Sequence, residues 1–259
     1  MIETNVKTIK EILEAPTLLL PIGFKDQDGK IHREVEIGEM TGQVEEAMSA
    51  QAVRNNGGKM ITELVLNLTK RLGALTRVKK EHVRSMFLAD RDFITLINYI
   101  QSVATDEFIR WTETCHSCNT KYEVELNYNN INVHYVNHDQ PWVVELELPR
   151  GIKKGDQLYK KILVTFPSGE VQEKMAATIM VNPAESITQL LALITEDIEG
   201  LDSYSFETFR EMVKKDRNAA ISFVNNLTVG PDLRTETCCP ACGLNRTVTV
   251  PATVLLGEG

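Results

Sequence analysis

The chemistry available to this sequence lies in its five cysteines, four of which form two C-x-x-C pairs. The first pair sits in TETCHSC, residues 112–118, and the second in TETCCPAC, residues 235–242. A pair at this spacing can be a redox centre, which places its nucleophilic sulfur at a helix N-terminus where the dipole lowers the thiol pKa. It can also be a metal knuckle, a tight turn between strands that points both sulfurs at one ion. Both pairs here lead into alternating sequence, KYEVEL in one case and RTVTV in the other. That is the pattern of a half-buried strand, so the context favours metal over redox. A knuckle turn also needs a residue tolerant of positive φ just past its second cysteine, and Asn119 and Gly243 stand there.

One knuckle supplies two thiolates, whereas a closed structural zinc site takes four. If the two pairs meet, Cys115, Cys118, Cys239 and Cys242 form a single structural Zn2+ site, one ion per chain, with no open position and no catalytic duty. Aligning the two TET phrases would instead make Cys238 the counterpart of Cys115. The C-x-x-C spacing selects Cys239 and leaves Cys238 as a spare thiol or alternative ligand. The plain alternative is that all five are reduced, half-buried thiols holding no metal.

The elements that would carry these knuckles are written twice. LPIGFK at 20–25 recurs as LPRGIK at 148–153, and TGQVEEAM at 41–48 as SGEVQEKM at 168–175. The dipeptide Asp-Arg occurs at 90–91 and 216–217, and TET at 112–114 and 235–237. Four matches in one order, at a slowly shrinking offset, read as a tandem duplication. Each copy holds a strand ending in Leu-Pro, a turn, and a second strand (KIHREVEIG or LYKKILVTF). A helical stripe follows: Met60, Ile61, Leu64, Val65, Leu68 and Leu72 in the first copy, Ile187, Leu190, Leu191, Ile194 and Ile198 in the second. Pro183 and Ser186 are start signals for the latter. A second stripe runs through Phe93, Leu96, Ile97, Ile100 and Val103, matched by Ala220, Phe223, Val224 and Leu227. Asp90 and Asp216 stand just before these helices, as capping acids.

The expected architecture is α+β: two tandem related repeats of short antiparallel strands, two or more helices and a C-x-x-C zinc knuckle, packed as a pseudo-twofold. The boundaries are an N-terminal extension at 1–15, repeat 1 at 16–140 and repeat 2 at 141–259. The Asn-rich stretch 127–141 is the linker, although Ile131, Val133 and Tyr135 could extend a strand.

A hydrophobic content of 42% with 25% charged residues is that of an ordinary folded chain. The N-terminus has no apolar signal core, and no run approaches the ~18 apolar residues of a membrane span, so folding in a reducing cytosol is expected. There, close-spaced cysteines favour metal over disulfides. The net charge of −8 argues against a general nucleic-acid binder. The one basic cluster, RVKKEHVR at 77–84, reads as a solvated face. NNGGK at 55–59 lacks the spacing of a phosphate loop and reads as a turn before a helix near Met60. His32, His82, His116, His134 and His138 form no metal-spaced set, with His134 and His138 in the polar linker and His116 inside the first knuckle. No nucleophile motif or glutamate pair stands out, and the recurring Asp-Arg reads as a cap and an ion pair.

The order of features in each half resembles the tail assembly and baseplate hub assembly proteins of contractile-tailed bacteriophages, T-even-like and Mu-like. The resemblance rests on LLLPIGFKDQDGKIHREVEIGEMTGQVEEAM, LADRDFITLINYIQSVATDEF and the C-x-x-C with its trailing strand. The second half answers with LELPRGIKKGDQLYKKILVTFPSGEVQEKM, KKDRNAAISFVNNLTVG and CCPAC. It covers about residues 17–126 and 143–252. It implies a non-enzymatic protein that works in the host cytoplasm during assembly or in the virion baseplate. Its partners would be other tail proteins (hub, tape measure or tube components), with no membrane. Two departures are the doubling within one chain and the extra Cys238. A zinc-ribbon adaptor for nucleic acid or other proteins and a C-x-x-C oxidoreductase are the competing readings.

Overall fold

The computed structural model describes residues 4–137 and 142–257. His138, the end of the expected linker and the boundary drawn between residues 140 and 141 lie outside them. The expected N-terminal extension contains strand β1 (Thr4–Thr8) and helix α1 (Ile9–Leu13). Thr8 and Glu11 close a capping box: the Thr8 hydroxyl accepts the Glu11 amide and the Glu11 carboxylate accepts the Thr8 amide at 2.7 Å.

The first half continues with hairpin β2 (Leu18–Lys25) and β3 (Ile31–Ile37), then helices α2 (Gly42–Ser49) and α3 (Gly57–Leu68). Strand β4 (Thr69–Leu72), helices α4 (Lys80–Ser85) and α5 (Leu88–Asn98), and hairpin β5 (Phe108–Thr114) and β6 (Lys121–Asn127) complete it. Strand β7 (Asn132–Val136) occupies the expected linker. The second half has hairpin β8 (Val143–Lys154) and β9 (Gln157–Thr165), helices α6 (Gly169–Ile179) and α7 (Pro183–Ile194), strand β10 (Thr195–Ile198), and helices α8 (Phe206–Arg210) and α9 (Lys214–Asn225). A two-residue strand β11 (Gly230–Pro231) precedes hairpin β12 (Arg234–Cys238) and β13 (Asn245–Thr249), and α10 (Ala252–Leu255) ends the described chain. The architecture is α+β, with small antiparallel sheets. Apart from β11, the element order from β8 to β13 repeats that from β2 to β6.

The sheets repeat as well. Strands β2-β3-β4 form one antiparallel sheet and β8-β9-β10 another of the same order. Both long hairpins break register at the Leu-Pro-x-Gly motif: pairing jumps from Leu19↔Glu34 to Phe24↔His32, and from Glu147↔Lys161 to Ile152↔Tyr159. Five residues therefore span what two span on the partner strand, leaving backbone amides unpaired by the ladder. Asp90 and Asp216 fill that need. The Asp90 carboxylate accepts Ile22 N–H at 2.8 Å and Gly23 N–H at 3.0 Å, and Asp216 accepts Arg150 N–H at 2.7 Å. Neither caps its own helix as the sequence suggested. The N-cap residues are Phe87 and Val213, with no side-chain cap bond, and both aspartates sit within the first turn, three residues after the cap. Helix position and strand bulge are thus tied by a buried carboxylate, since an unmade bond to buried amides is costly.

The arginines are not ion-paired to these aspartates either. Arg91 donates to Gly58 O at 3.0 Å and Arg217 to Ala184 O at 2.7 Å, each in the first turn of the preceding long helix. The Asp-Arg dipeptide therefore ties the last long helix of each half to a strand on one side and to another helix on the other.

Two stripes end earlier than their periodicity suggested. Leu72 and Ile198 lie in β4 and β10, not in helices. The change falls at Thr69 and Thr195, where the backbone turns extended and the chain pairs with β3 and β9; each hydroxyl donates back to the carbonyl four residues earlier, at 2.7 Å. An i, i+4 spacing then continues by accident into a strand. NNGGK is also partly misread. Asn56 is the N-cap of α3, accepting from Lys59 N–H at 3.1 Å, and both glycines lie inside the first turn.

The halves meet where α6 packs on α3, α4 and α5. Glu173 is buried there. Its carboxylate takes the Thr62 hydroxyl at 2.6 Å and Arg84 Nε at 3.0 Å, and Asn56 donates to its carbonyl at 2.9 Å. Arg91 reaches Gln172 at 3.1 Å. The basic stretch 77–84 is committed in part: Arg84 serves Glu173 and Glu170, Lys80 pairs with Glu63 and Val83 is buried, while Arg77 and Lys79 are exposed. Strands β1, β7 and β11 form a third sheet that joins N-terminus, linker and second half. No described helix is long and apolar enough to cross a membrane.

Candidate metal centre

Cys115 directly follows β5 and Cys239 directly follows β12, and the two turns are built alike. Cys115 N–H donates to Thr120 O at 2.9 Å, and Asn119 N–H returns to Cys115 O at 2.9 Å. In the second turn Cys239 N–H donates to Leu244 O at 3.0 Å, and Gly243 N–H to Cys239 O at 2.9 Å. Asn119 has φ 58° and Gly243 φ 72°, and Asn119 is the only described non-glycine at positive φ. The left-handed residue after each C-x-x-C is what lets the chain reverse while both sulfurs stay on one side.

The turns face each other. Cys115 Sγ lies 3.6 Å from Cys242 Sγ, and Cys118 Sγ 3.6 Å from Cys239 Sγ. All four sulfurs are within 4.8 Å of one another. A tetrahedral ion with sulfur at about 2.3 Å sets sulfur–sulfur edges of about 3.8 Å. The cluster therefore has the size and donor set of a four-thiolate site, the chemistry that suits zinc or tetrahedral iron. Cys115 and Cys239 are buried, Cys118 and Cys242 exposed. The contacts are reciprocal, first cysteine of one knuckle to second cysteine of the other, as a local twofold requires.

Cys238 stays outside the cluster. It is exposed at the end of β12, paired across the hairpin with Asn245, as Thr114 pairs with Lys121 in β5–β6. Ladder positions in the two hairpins correspond at an offset of 124 residues, which places Cys239 with Cys115 and Cys238 with Thr114. The repeated TET is thus one residue out of structural register, and such a slip moves every side chain to the opposite face.

The local electrostatics favour thiolates in the first knuckle. Backbone amides of Cys118 and Ser117 aimed at the Cys115 sulfur hold its pKa down. The hydroxyl and amide of Thr120 do the same for Cys118, lowering it to about 6. Cys242 receives the Leu244 amide, yet proton sharing with Cys115, burial and the other two sulfurs push it up to about 12. Four sulfurs so close cannot all ionise without a cation among them. Across the seam Arg246 pairs with Glu113 and donates to the Tyr122 hydroxyl at 3.3 Å. Sequence reasoning missed that pair, because its partners lie 133 positions apart.

Both knuckles sit on hairpin turns, not helix N-termini, the wrong place for a dipole-activated redox thiol. The histidines are scattered. His32 is buried against Asp26 at 2.7 Å, His82 lies on Phe24 with ring centroids 5.4 Å apart, His134 is near Thr4, and His116 is exposed at the knuckle tip.

Searches of curated proteins and of solved structures return no match. The profile of one protein family, described as T4 bacteriophage base plate protein, matches residues 17–253. That span holds both hairpin–helix halves and all four clustered cysteines, and the chain belongs to the T4 bacteriophage base plate protein family.

Proposed function

We propose that this chain is a non-enzymatic structural part of a phage tail baseplate, built into the hub or holding hub, tube or tape-measure components while the tail assembles. The observation that carries the reading is the family match over nearly the whole chain. One Zn2+ held by Cys115, Cys118, Cys239 and Cys242 staples the knuckles together. A four-thiolate set leaves no position for water, so the ion's duty is structural. The two halves, 16–140 and 141–259 in sequence, descend from a tandem duplication. The recurring element order, the matched bulges and the paired Asp-Arg contacts support this.

The work takes place in the host cytoplasm, among other tail proteins. Two measurements test the proposal. Protein purified without chelator should carry one equivalent of zinc per chain by elemental analysis, and a phage lacking the gene should accumulate no complete tails. Normal infectious tails from the deletion would end the baseplate reading, and a metal content well under one equivalent would end the zinc staple.

A further inference from the structure

The internal joint has a socket and a plug, and the chain carries an uncovered second example of each. The socket is Asn56, Thr62, Arg84 and Arg91 around Gln172–Glu173. Beside it the main chain of the first half pairs with the segment leading into α6: Leu88 N–H donates to Pro167 O at 2.9 Å and Gly169 N–H to Met86 O at 2.9 Å. Phe87 covers this joint edge-on against Trp142 and Phe166. At an offset of 126 residues the same kinds of group recur as Asn182, Thr188, Arg210 and Arg217, lining an open groove of about 470 Å³. Val213 stands in the place of Phe87 and is 49% exposed, while Met180 and Val181, next to the groove in the chain, are 88% and 85% exposed. Among the described residues, Met212 O and Lys214 N–H have no partner. Arg91 is buried at the first joint, whereas Arg217 is half-buried and Arg210 exposed, and Val213 is exposed where Phe87 is half-buried.

The plug is the start of α6, Ser168-Gly169-Glu170-Val171-Gln172-Glu173. Its counterpart at the start of α2 is Thr41-Gly42-Gln43-Val44-Glu45-Glu46. Val44 and Val171 are both buried, but Glu46 is exposed where Glu173 is buried. We propose that the α2 start of one copy of this chain docks in the α7–α9 groove of a second copy, with Glu46 meeting Arg210 as Glu173 meets Arg84. A second copy is the occupant because this chain itself supplies the matching acidic plug for the arginine-lined groove. Arg210 is now held only by an exposed pair with Glu207 at 3.1 Å, which is readily exchanged.

Plug and socket lie on different surfaces, so the contact is head to tail and builds a ring or an open chain. One residue weakens it: Ala184 replaces Gly58, whose position beneath α6 has no room for a methyl group. The intermolecular joint is therefore looser than the internal one.

The test is sedimentation of the purified zinc-loaded full chain over a range of concentrations. Wild-type mass should rise with concentration. Glu46→Arg and Arg210→Glu, both at exposed positions, should each stay monomeric while melting like wild type. In an equimolar mixture the intact plug of one variant meets the intact groove of the other, and the two reversed charges attract each other in turn, so association should return. Ala184→Gly should shift association to a concentration lower by about tenfold. A monomer at every soluble concentration for both wild type and Ala184→Gly overturns the proposal, as does association that survives both charge reversals.

Discussion

Two adjacent glycines in α3 give opposite predictions, and the difference measures the joint between the halves. A methyl group built on Gly58 would lie 2.7 Å from Glu173 N and Cα and 2.8 Å from Gln172 C. Those are main-chain atoms of α6, about 0.8 Å inside a normal ~3.5 Å contact. They cannot turn aside, because Asn56, Thr62 and Arg84 hold Glu173 and α7 backs the helix. Overpacking of this kind costs about 1–3 kcal/mol. The same methyl group on Gly57 meets nothing within 4 Å. There alanine only stiffens the helix, a gain of up to about 1 kcal/mol.

The two variants should therefore differ by about 1–4 kcal/mol, the sum of those two effects. At about 2–4 °C per kcal/mol for a chain of this size, that is a gap of at least ~2 °C in melting temperature. Differential scanning calorimetry of zinc-loaded protein reads it directly, with Gly57→Ala above wild type and Gly58→Ala below. Equal melting temperatures for the two variants would refute the close approach of α6 to α3, and with it the template from which the intermolecular joint is argued.

The cysteines give a second prediction: Cys238→Ser should keep one zinc per chain, whereas Cys239→Ser and Cys115→Ser should lose it. Elemental analysis decides this, and retention by Cys239→Ser with loss by Cys238→Ser would reverse the ligand assignment. At the turns, Gly243→Ala adds strain without a clash, since nothing lies within 4 Å and φ is 72°. At about 1–2 kcal/mol, zinc affinity should fall about 5- to 30-fold by chelator competition. Asn119→Gly should not lower it, and a loss there equal to that of Gly243→Ala would discount the backbone argument. Burial raises the Asp90 pKa from 3.8 to about 7, against the opposing pull of the Ile22 and Gly23 amides. The folded chain then holds a proton that the unfolded carboxyl has released, so stability falls as pH rises through that window. Wild type should lose stability relative to Asp90→Asn between about pH 4 and pH 7, in urea titrations with zinc present. Parallel profiles for the two proteins would show that Asp90 does not titrate as argued.

The sequence carried those parts of the fold that local chemistry dictates. Alternation marked β3, β9, β6 and β13, and the residues after each C-x-x-C marked the knuckle turns before any geometry was known. The capping box of Thr8 and Glu11 is legible too, from a threonine followed three residues later by a glutamate. What could not be read was tertiary. Asp90 looks like a cap because acids favour helix starts, yet its partners are amides freed by a bulge 67 and 68 positions away. Leu72 continues a helical stripe in sequence, yet it pairs with Val35 in the first sheet, a partner 37 positions away. The four cysteines were grouped by spacing alone. Which face of TETCCPAC met the first knuckle depended on the hairpin register, where the repeated phrase pointed one residue the wrong way.

The two knuckles meet reciprocally, whereas the helical layers meet one-sidedly. Cys115 meets Cys242 and Cys118 meets Cys239, a reciprocal exchange. By contrast, α6 packs on α3 while no substantial packing of α2 on α7 answers it. A single rotation cannot relate two halves that meet reciprocally at one end and one-sidedly at the other. The chain path between helix and knuckle supplies the physical reason. After α5 a short π-helical turn, Tyr99–Val103, leads straight to the first knuckle. After α9 the chain instead detours through β11, which pairs with β7. That detour carries the second knuckle away from its own helices, so Cys239, Val248, Val250, Val254 and Leu255 belong to the first half's core, and none of them to the second's. The thiolate cluster therefore does not join two independent bodies at their tips. It fastens the C-terminal segment of the second half into the core of the first, while α6 plugs the same half from another side. Stitched at two places to one neighbour, the second half keeps its α7–α9 face free, which is the face that a further copy would need.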